Sequence, residues 1–190
     1  MDSIVLDRRL AELSAHAVNN FVEKYYWNKD NSADTYWMPE YLLKTIIADG
    51  LCNQYRCALE IRFNSVLELC GHTSNDDWTN NRITLDLLLL ERNEDKAIAA
   101  IEVKGRSSNW SAFAPDCRRL ERLVKMVPKL IDRAYLIYVS CPMLPDNCNK
   151  EYKKFKRLTD TAECQSHLSV DYFIVNEKWS FLVALRSFYL

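Results

Sequence analysis

Two carboxylates and an amine stand where apolar residues are expected. Asp86 interrupts the run "RITLDLLLLER", and Glu102 interrupts "KAIAAIEVKG", which also carries Lys104. A strand alternates faces with period two, so Glu102 and Lys104 point to one side and Val103 to the other. A charge in an apolar setting is strongly disfavoured unless it is paired. Between the two runs, "NED" (Asn93 to Asp95) reads as a hairpin turn. Pairing Leu90 or Glu91 with Lys96 or Ala97 then sets Asp86 near Glu102, with one residue of slack. Two close carboxylates repel unless a proton or a cation lies between them. Hard oxygen donors suit Mg²⁺ or Mn²⁺. Such an ion polarises a phosphate and activates a water, and a lysine beside it adds a donor for that water and for charge developing on the phosphoryl group. The residues therefore point to metal-assisted phosphodiester hydrolysis. The same residues also have a reading without function. Glu102 and Lys104 can form a strand-end ion pair, of a kind that contributes about 0–1 kcal/mol, with Asp86 bonded to main-chain N–H groups.

The flanking sequence supplies elements to position these groups. Leu10, Leu13, Ala17 and Phe21 recur at helical spacing and predict an amphipathic helix over 6–26. A loop is expected at Asn28 to Asp34. "PEYLLKTIIADGL" predicts a second helix, with Pro39 in its first turn and Gly50 at its end. "YRCALEIRFNSVLEL", Tyr55 to Leu69, alternates apolar residues and reads as a strand or a hairpin. "GHTSNDDWTNN" reads as a polar loop. After the motif strands, a helix is expected over Pro115 to Arg133, with Pro128 kinking or breaking it. "AYLIYVSC" predicts a buried strand, "NKEYKKFKRLTD" a basic helix, and "SVDYFIVN" a further strand. The order is α-α-β-β-β-α-β-α-β, an α/β fold with a mixed central sheet flanked by helices.

On these residues the chain resembles the PD-(D/E)xK, or restriction-endonuclease-like, nuclease superfamily. The resemblance rests on Asp86, then Glu102-Val103-Lys104 after fifteen intervening residues, carried by a strand hairpin that a helix follows. It covers roughly Pro39 to Val175, in element order more than in sequence. Leu85 stands where the motif has proline. The resemblance implies catalytic roles for Asp86, Glu102 and Lys104. A Mg²⁺ or Mn²⁺ ion would be held by Asp86, Glu102 and the Val103 carbonyl. It also implies an acidic residue on the helix before the sheet, for which Glu40 is the first candidate and Glu60, on the first strand, the second. DNA is favoured over RNA as substrate, in defence against phage or in DNA repair. The alternative is a non-catalytic domain of the same fold that binds nucleic acid or protein.

Arg118, Arg119, Arg122 and Lys125 lie on the helix after Lys104 and are candidates for nucleic-acid contact. "YKKFKR", Tyr152 to Arg157, mixes cations with aromatics, and "SSNWSAF", Ser107 to Phe113, adjoins the motif. The first also reads as a plain exposed helix face, and in the second Trp110 also reads as a loop anchor.

At 190 residues the chain reads as one domain, with an N-terminal helical extension (1–37), a core (38–176) and an apolar C-terminal element (177–190). A formal net charge of −1 means that any nucleic-acid surface has to be local. The N-terminus lacks a signal-peptide pattern. Seven scattered cysteines without a CxxC read as reduced thiols in a cytoplasmic protein. Cys70 and His72, with Cys52 and Cys57 nearby, lack the spacings of a structural zinc motif. His16, His72 and His167 are isolated. The tail "WSFLVALRSFYL" has to be buried, either in a homodimer interface or in the chain's own core.

Overall fold

The computed structural model describes residues 3–25, 38–71, 83–105, 110–128, 131–140, 143–160, 165–176 and 179–190. It is a mixed α/β structure, with a six-stranded, mostly antiparallel sheet flanked by five helices. Helices α1 (Ser3–Tyr25) and α2 (Glu40–Leu51) come first, followed by β1 (Arg56–Arg62), α3 (Phe63–Leu69), β2 (Thr84–Leu90) and β3 (Ala97–Gly105). A 3-10 turn at Trp110–Ala112 leads into α4 (Phe113–Met126), then β4 (Arg133–Val139), α5 (Pro145–Thr159), β5 (Gln165–Asn176) and β6 (Trp179–Tyr189). The strand order is β1-β2-β3-β4-β6-β5. The first three strands form an antiparallel meander, β4 runs parallel to β3 across the α4 crossover, and β6 is antiparallel to both its neighbours.

Side-chain alternation divides the core into two layers. Ala100, Leu136, Tyr138 and Leu182 point to one face and pack with α3, α4 and α5. Ile101, Val103, Tyr135, Ile137 and Val183 point to the other and pack with α1 and α2. β3 and β4 are therefore buried on both faces, which explains their near-continuous apolar sequences.

Residues 55–69 are not one strand or hairpin. β1 ends at Arg62, and α3 follows at once. Phe63, Val66, Leu67 and the C-cap Cys70 are the buried positions of this short helix, with spacings of three and four. The helix after Lys104 stops at Met126, two residues before Pro128, which cannot supply the N–H a further turn needs.

Gly50 lies at the end of its helix as expected, one residue before α2 stops at Leu51 with Cys52 as its C-cap. A Cβ at Gly50 would lie 2.2 Å from Leu13 Cδ2, so this glycine is what lets α1 settle onto α2. The α1 stripe Leu6, Leu10, Leu13, Ala17 is buried within the second core layer. Asp7 accepts hydrogen bonds from Arg133 Nη1 at 3.0 Å and from the Tyr135 hydroxyl at 2.8 Å, which fastens α1 to β4.

The apolar tail is β6, an interior strand. Phe181, Leu182, Val183, Ala184, Leu185 and Phe188 are all buried against the chain's own layers. These residues are taken up by the chain's own core, whereas Leu190 at the end of the tail is exposed.

Among the described residues no helix is long and apolar enough to cross a membrane. The described cysteines, Cys52, Cys57, Cys70, Cys117 and Cys148, form no disulfide with one another. Cys141, Cys164, His72, the loop at 28–34 and most of the loop at 71–81 lie outside the described residues. His16 and His167 are exposed.

Candidate active site

The hairpin register decides what the acidic side chains meet. Leu87 pairs with Ile101, so continuing the ladder by one residue sets Asp86 opposite Glu102. At the turn end Leu90 pairs with Ala97, and an irregularity between Leu89 and Leu90 takes up the one residue of slack. The Asp86 and Glu102 carboxylates lie within hydrogen-bonding reach of each other. Asp86 Oδ2 also accepts the Val103 N–H at 2.7 Å.

Lys104 Nζ lies 3.7 Å from Glu102 Oε2 and 3.0 Å from Asp116 Oδ2. Asp116 stands in the first turn of α4 and also pairs with Arg119, one turn on. These groups are deeply set, with Glu102 3%, Asp116 2% and Asp86 9% exposed. Burial, and then the neighbouring Asp86 carboxylate, hold the Glu102 carboxyl well above the ordinary carboxylate range, with Lys104 and Arg119 pulling the other way. Burial lowers the affinity of Arg119 for its proton, against the opposing pull of Glu102 and Asp86. Glu102 Oε1 is buried without a hydrogen-bond partner.

Helix α2 closes the other side. Glu40 Oε1 accepts the Gly105 N–H at 2.9 Å, and a Cβ at Gly105 would come within 3.3 Å of Glu40 Cγ. Glycine at the end of β3 thus gives Glu40 room beside Lys104. One turn on, Lys44 Nζ donates to Asp86 Oδ1 at 3.1 Å and pairs with Glu60. Burial works against the Lys44 charge, and its contacts with Glu60 and Asp86 outweigh that and raise its pKa.

The structure thus brings Asp86, Glu102 and Lys104 together, with Glu40 adjoining them through Gly105. It divides the basic set on α4. Arg119 turns inward to Asp116, whereas Arg118, Arg122 and Lys125 are exposed. Trp110 stacks on Phe113 at 4.7 Å between ring centroids, with Lys154 Nζ 4.4 Å from its own ring centre, so it anchors the turn after the motif. Ser107 to Asn109 lie outside the described residues. Two participants were not expected from the sequence, Lys44 and Asp116. An i,i+4 Glu-Lys spacing on α2 and an i,i+3 Asp-Arg spacing on α4 were the available signals.

The donor set is oxygen only, which is the chemistry of Mg²⁺ or Mn²⁺ rather than of softer ions. The buried, unpartnered Glu102 Oε1 beside Asp86 fits such an ion. Among the described residues, no three His, Cys, Asp or Glu side chains gather at metal-ligand spacing. An ion here would have two carboxylates, and Mg²⁺ commonly completes such a shell with water. Compared with known proteins, the chain matches no family model, no curated protein and no solved structure.

Proposed function

We propose that the chain is a metal-dependent nuclease of the PD-(D/E)xK kind, hydrolysing phosphodiester bonds in DNA. The observation that carries this reading is the convergence of Asp86 and Glu102 beside Lys104, with a buried carboxylate oxygen of Glu102 left without a partner. Asp86, Glu102 and the Val103 carbonyl would hold Mg²⁺ or Mn²⁺, which would polarise the phosphate and lower the pKa of a bound water. Lys104 would orient the attacking water and donate to the phosphoryl oxygens as charge develops there. Asp116 aims the Lys104 ammonium, and Arg119 adds a second cation beside the carboxylates. Glu40 fixes the end of β3 through Gly105.

A nucleic-acid substrate is favoured by charge placement. The outer surfaces of α4 and α5, which cover the face of the sheet that carries Ala100 and Tyr138, expose Arg118, Arg122, Lys125, Lys150, Lys153, Lys156 and Arg157. In a chain of net charge −1 this is a local concentration of positive charge suited to a phosphate backbone.

One observation favours a second reading, a non-catalytic module of the same fold. Lys44 already neutralises Asp86, and Lys104 lies nearer Asp116 than Glu102. The deciding experiment incubates the purified chain with linear, circular and single-stranded DNA and with RNA, with and without Mn²⁺. Cleavage that needs Mn²⁺ and disappears in Glu102→Gln supports the nuclease. Binding without cleavage under every condition supports the module.

A further inference from the structure

Glu60 belongs to the same acidic row. Leu59 pairs with Leu87 and Ile61 with Leu85, so Glu60 of β1 stands opposite Asp86, as Asp86 stands opposite Glu102. Three carboxylates on three adjacent strands thus line up across the sheet. Glu60 is also the one non-glycine residue at positive φ (52°) among the described residues. That conformation costs roughly 1–2 kcal/mol in an L-residue and persists only where its surroundings impose it. Regular pairing on both sides imposes it here, and the Glu60 carboxylate meets Lys44 through Oε1 and the Thr84 hydroxyl, at 3.3 Å, through Oε2.

The row has two gaps, and they differ. The gap between Glu60 and Asp86 holds the Lys44 ammonium, which contacts both carboxylates and whose side chain is 13% exposed. Among the described residues no ammonium bridges the gap between Asp86 and Glu102. Lys104 stands to one side, drawn to Asp116, and Glu102 Oε1 keeps its buried, unpartnered place. No three carboxylates converge on one point among the described residues, which is what two separate gaps require.

We propose that Lys44 is a resident cation of this site, filling the gap between Glu60 and Asp86 so that the row takes one divalent ion, between Asp86 and Glu102, and not two. The inference rests on the metal-dependent reading above. The fixed ammonium orients Asp86 by its bond to Oδ1 and balances Glu60 whether or not an ion is bound. A second divalent ion would have to expel an ammonium held by two carboxylates, on a stem anchored by a helix whose Leu43 and Ile47 are buried. Lys44 is in these terms a positioning residue that also sets metal stoichiometry.

The test counts bound Mn²⁺ per full-length chain from the loss of the free-ion electron paramagnetic resonance signal. Wild type and Lys44→Arg, which keeps the charge, should each bind one ion. Lys44→Ala should bind two, and the double substitution Lys44→Ala with Glu60→Gln should return to one. Circular dichroism checks each fold, and Lys44→Gln repeats the count if Lys44→Ala does not fold. Two ions in wild type, or a single ion in the folded Lys44→Ala or Lys44→Gln chain, would overturn the proposal and leave the nuclease reading standing. Failure of every variant and of wild type to bind Mn²⁺ would overturn both.

Discussion

Asp86 Oδ2 accepts the main-chain N–H of Val103 at 2.7 Å, so the acidic side chain of β2 is fastened to the residue between Glu102 and Lys104. One carboxylate therefore has two roles, as a charge at the site and as a rivet between two strands. The roles separate by substitution. Asp86→Asn keeps an oxygen for the Val103 N–H and should fold, while losing at least about 100-fold in Mn²⁺-dependent cleavage. Asp86→Ala leaves a buried N–H unsatisfied and should cost about 1–3 kcal/mol in urea unfolding. Equal stability of the two variants would contradict the rivet.

Glu102 predicts an unusual pH dependence of stability. Its carboxyl is raised in the folded state, by burial first and by Asp86 second. A raised carboxyl binds its proton more tightly folded than unfolded. Its contribution is then fully present below the unfolded value, near 4.3, and is lost as pH rises toward the folded value. Glu102→Gln removes this loss. Measured without divalent ions, the variant should gain at least about 1 kcal/mol over wild type at neutral pH, with the difference shrinking toward pH 4. A variant less stable than wild type at neutral pH would count against the raised carboxyl.

Lys104 should be separable from the fold. Its removal leaves Asp116 paired with Arg119, so Lys104→Met should unfold within about 1 kcal/mol of wild type. It should lose cleavage by about 100-fold or more. Retention of cleavage in this variant would exclude the assigned role.

Gly50→Ala is expected to reverse a common rule. Glycine inside a helix usually costs about 1 kcal/mol relative to alanine. Here the added methyl meets Leu13 Cδ2 at 2.2 Å in a buried contact. Overpacking of that kind costs about 1–3 kcal/mol, so thermal unfolding should show a net loss of stability. Leu13→Ala in the same chain should recover part of the strain between the two positions, seen as non-additivity.

Ending the chain at Lys178 removes β6, which lies between β4 and β5. The truncated chain should fail to fold, as judged by loss of a cooperative unfolding transition. A folded truncation product would contradict the interior placement of Phe181, Leu182 and Leu185.

The hairpin at the site was legible because its signals are local. Apolar runs on either side of Asn93–Asp95 limit the register to two choices, and the sheet needs only one irregularity beside Leu89 to realise the pairing. The α/β class was legible for the same reason, since helical and strand periods alternate along the chain. α3 was hard to separate from β1 because Tyr55, Cys57, Leu59, Ile61 and Phe63 alternate without a break and Leu67 and Leu69 keep the same parity, which masks the helical spacing of Phe63, Val66 and Leu67 over so short a span. The tail was ambiguous because an apolar run does not say which surface will cover it. Lys44 and Asp116 enter the site through the docking of α2 and α4 on the sheet, and no local spacing specifies which strand a helix will face.

The interior position of β6 bears on how quickly the chain reaches its native state. β4 leaves one edge open until β6 arrives, and the paired residues Ile137 and Leu185 are separated by nearly fifty positions. β5 and β6 are adjacent in sequence and pair along almost their whole length, so they can zip as a local hairpin before docking. The slow event is then the capture of that preformed ribbon by the waiting edge. Until it happens, β3, which carries Glu102 and Lys104, lies beside a β4 whose other edge is unpaired and strongly apolar. A second chain can reach that edge first. Recovery from denaturant should therefore fall as protein concentration rises, with the losses set during the interval before the ribbon docks.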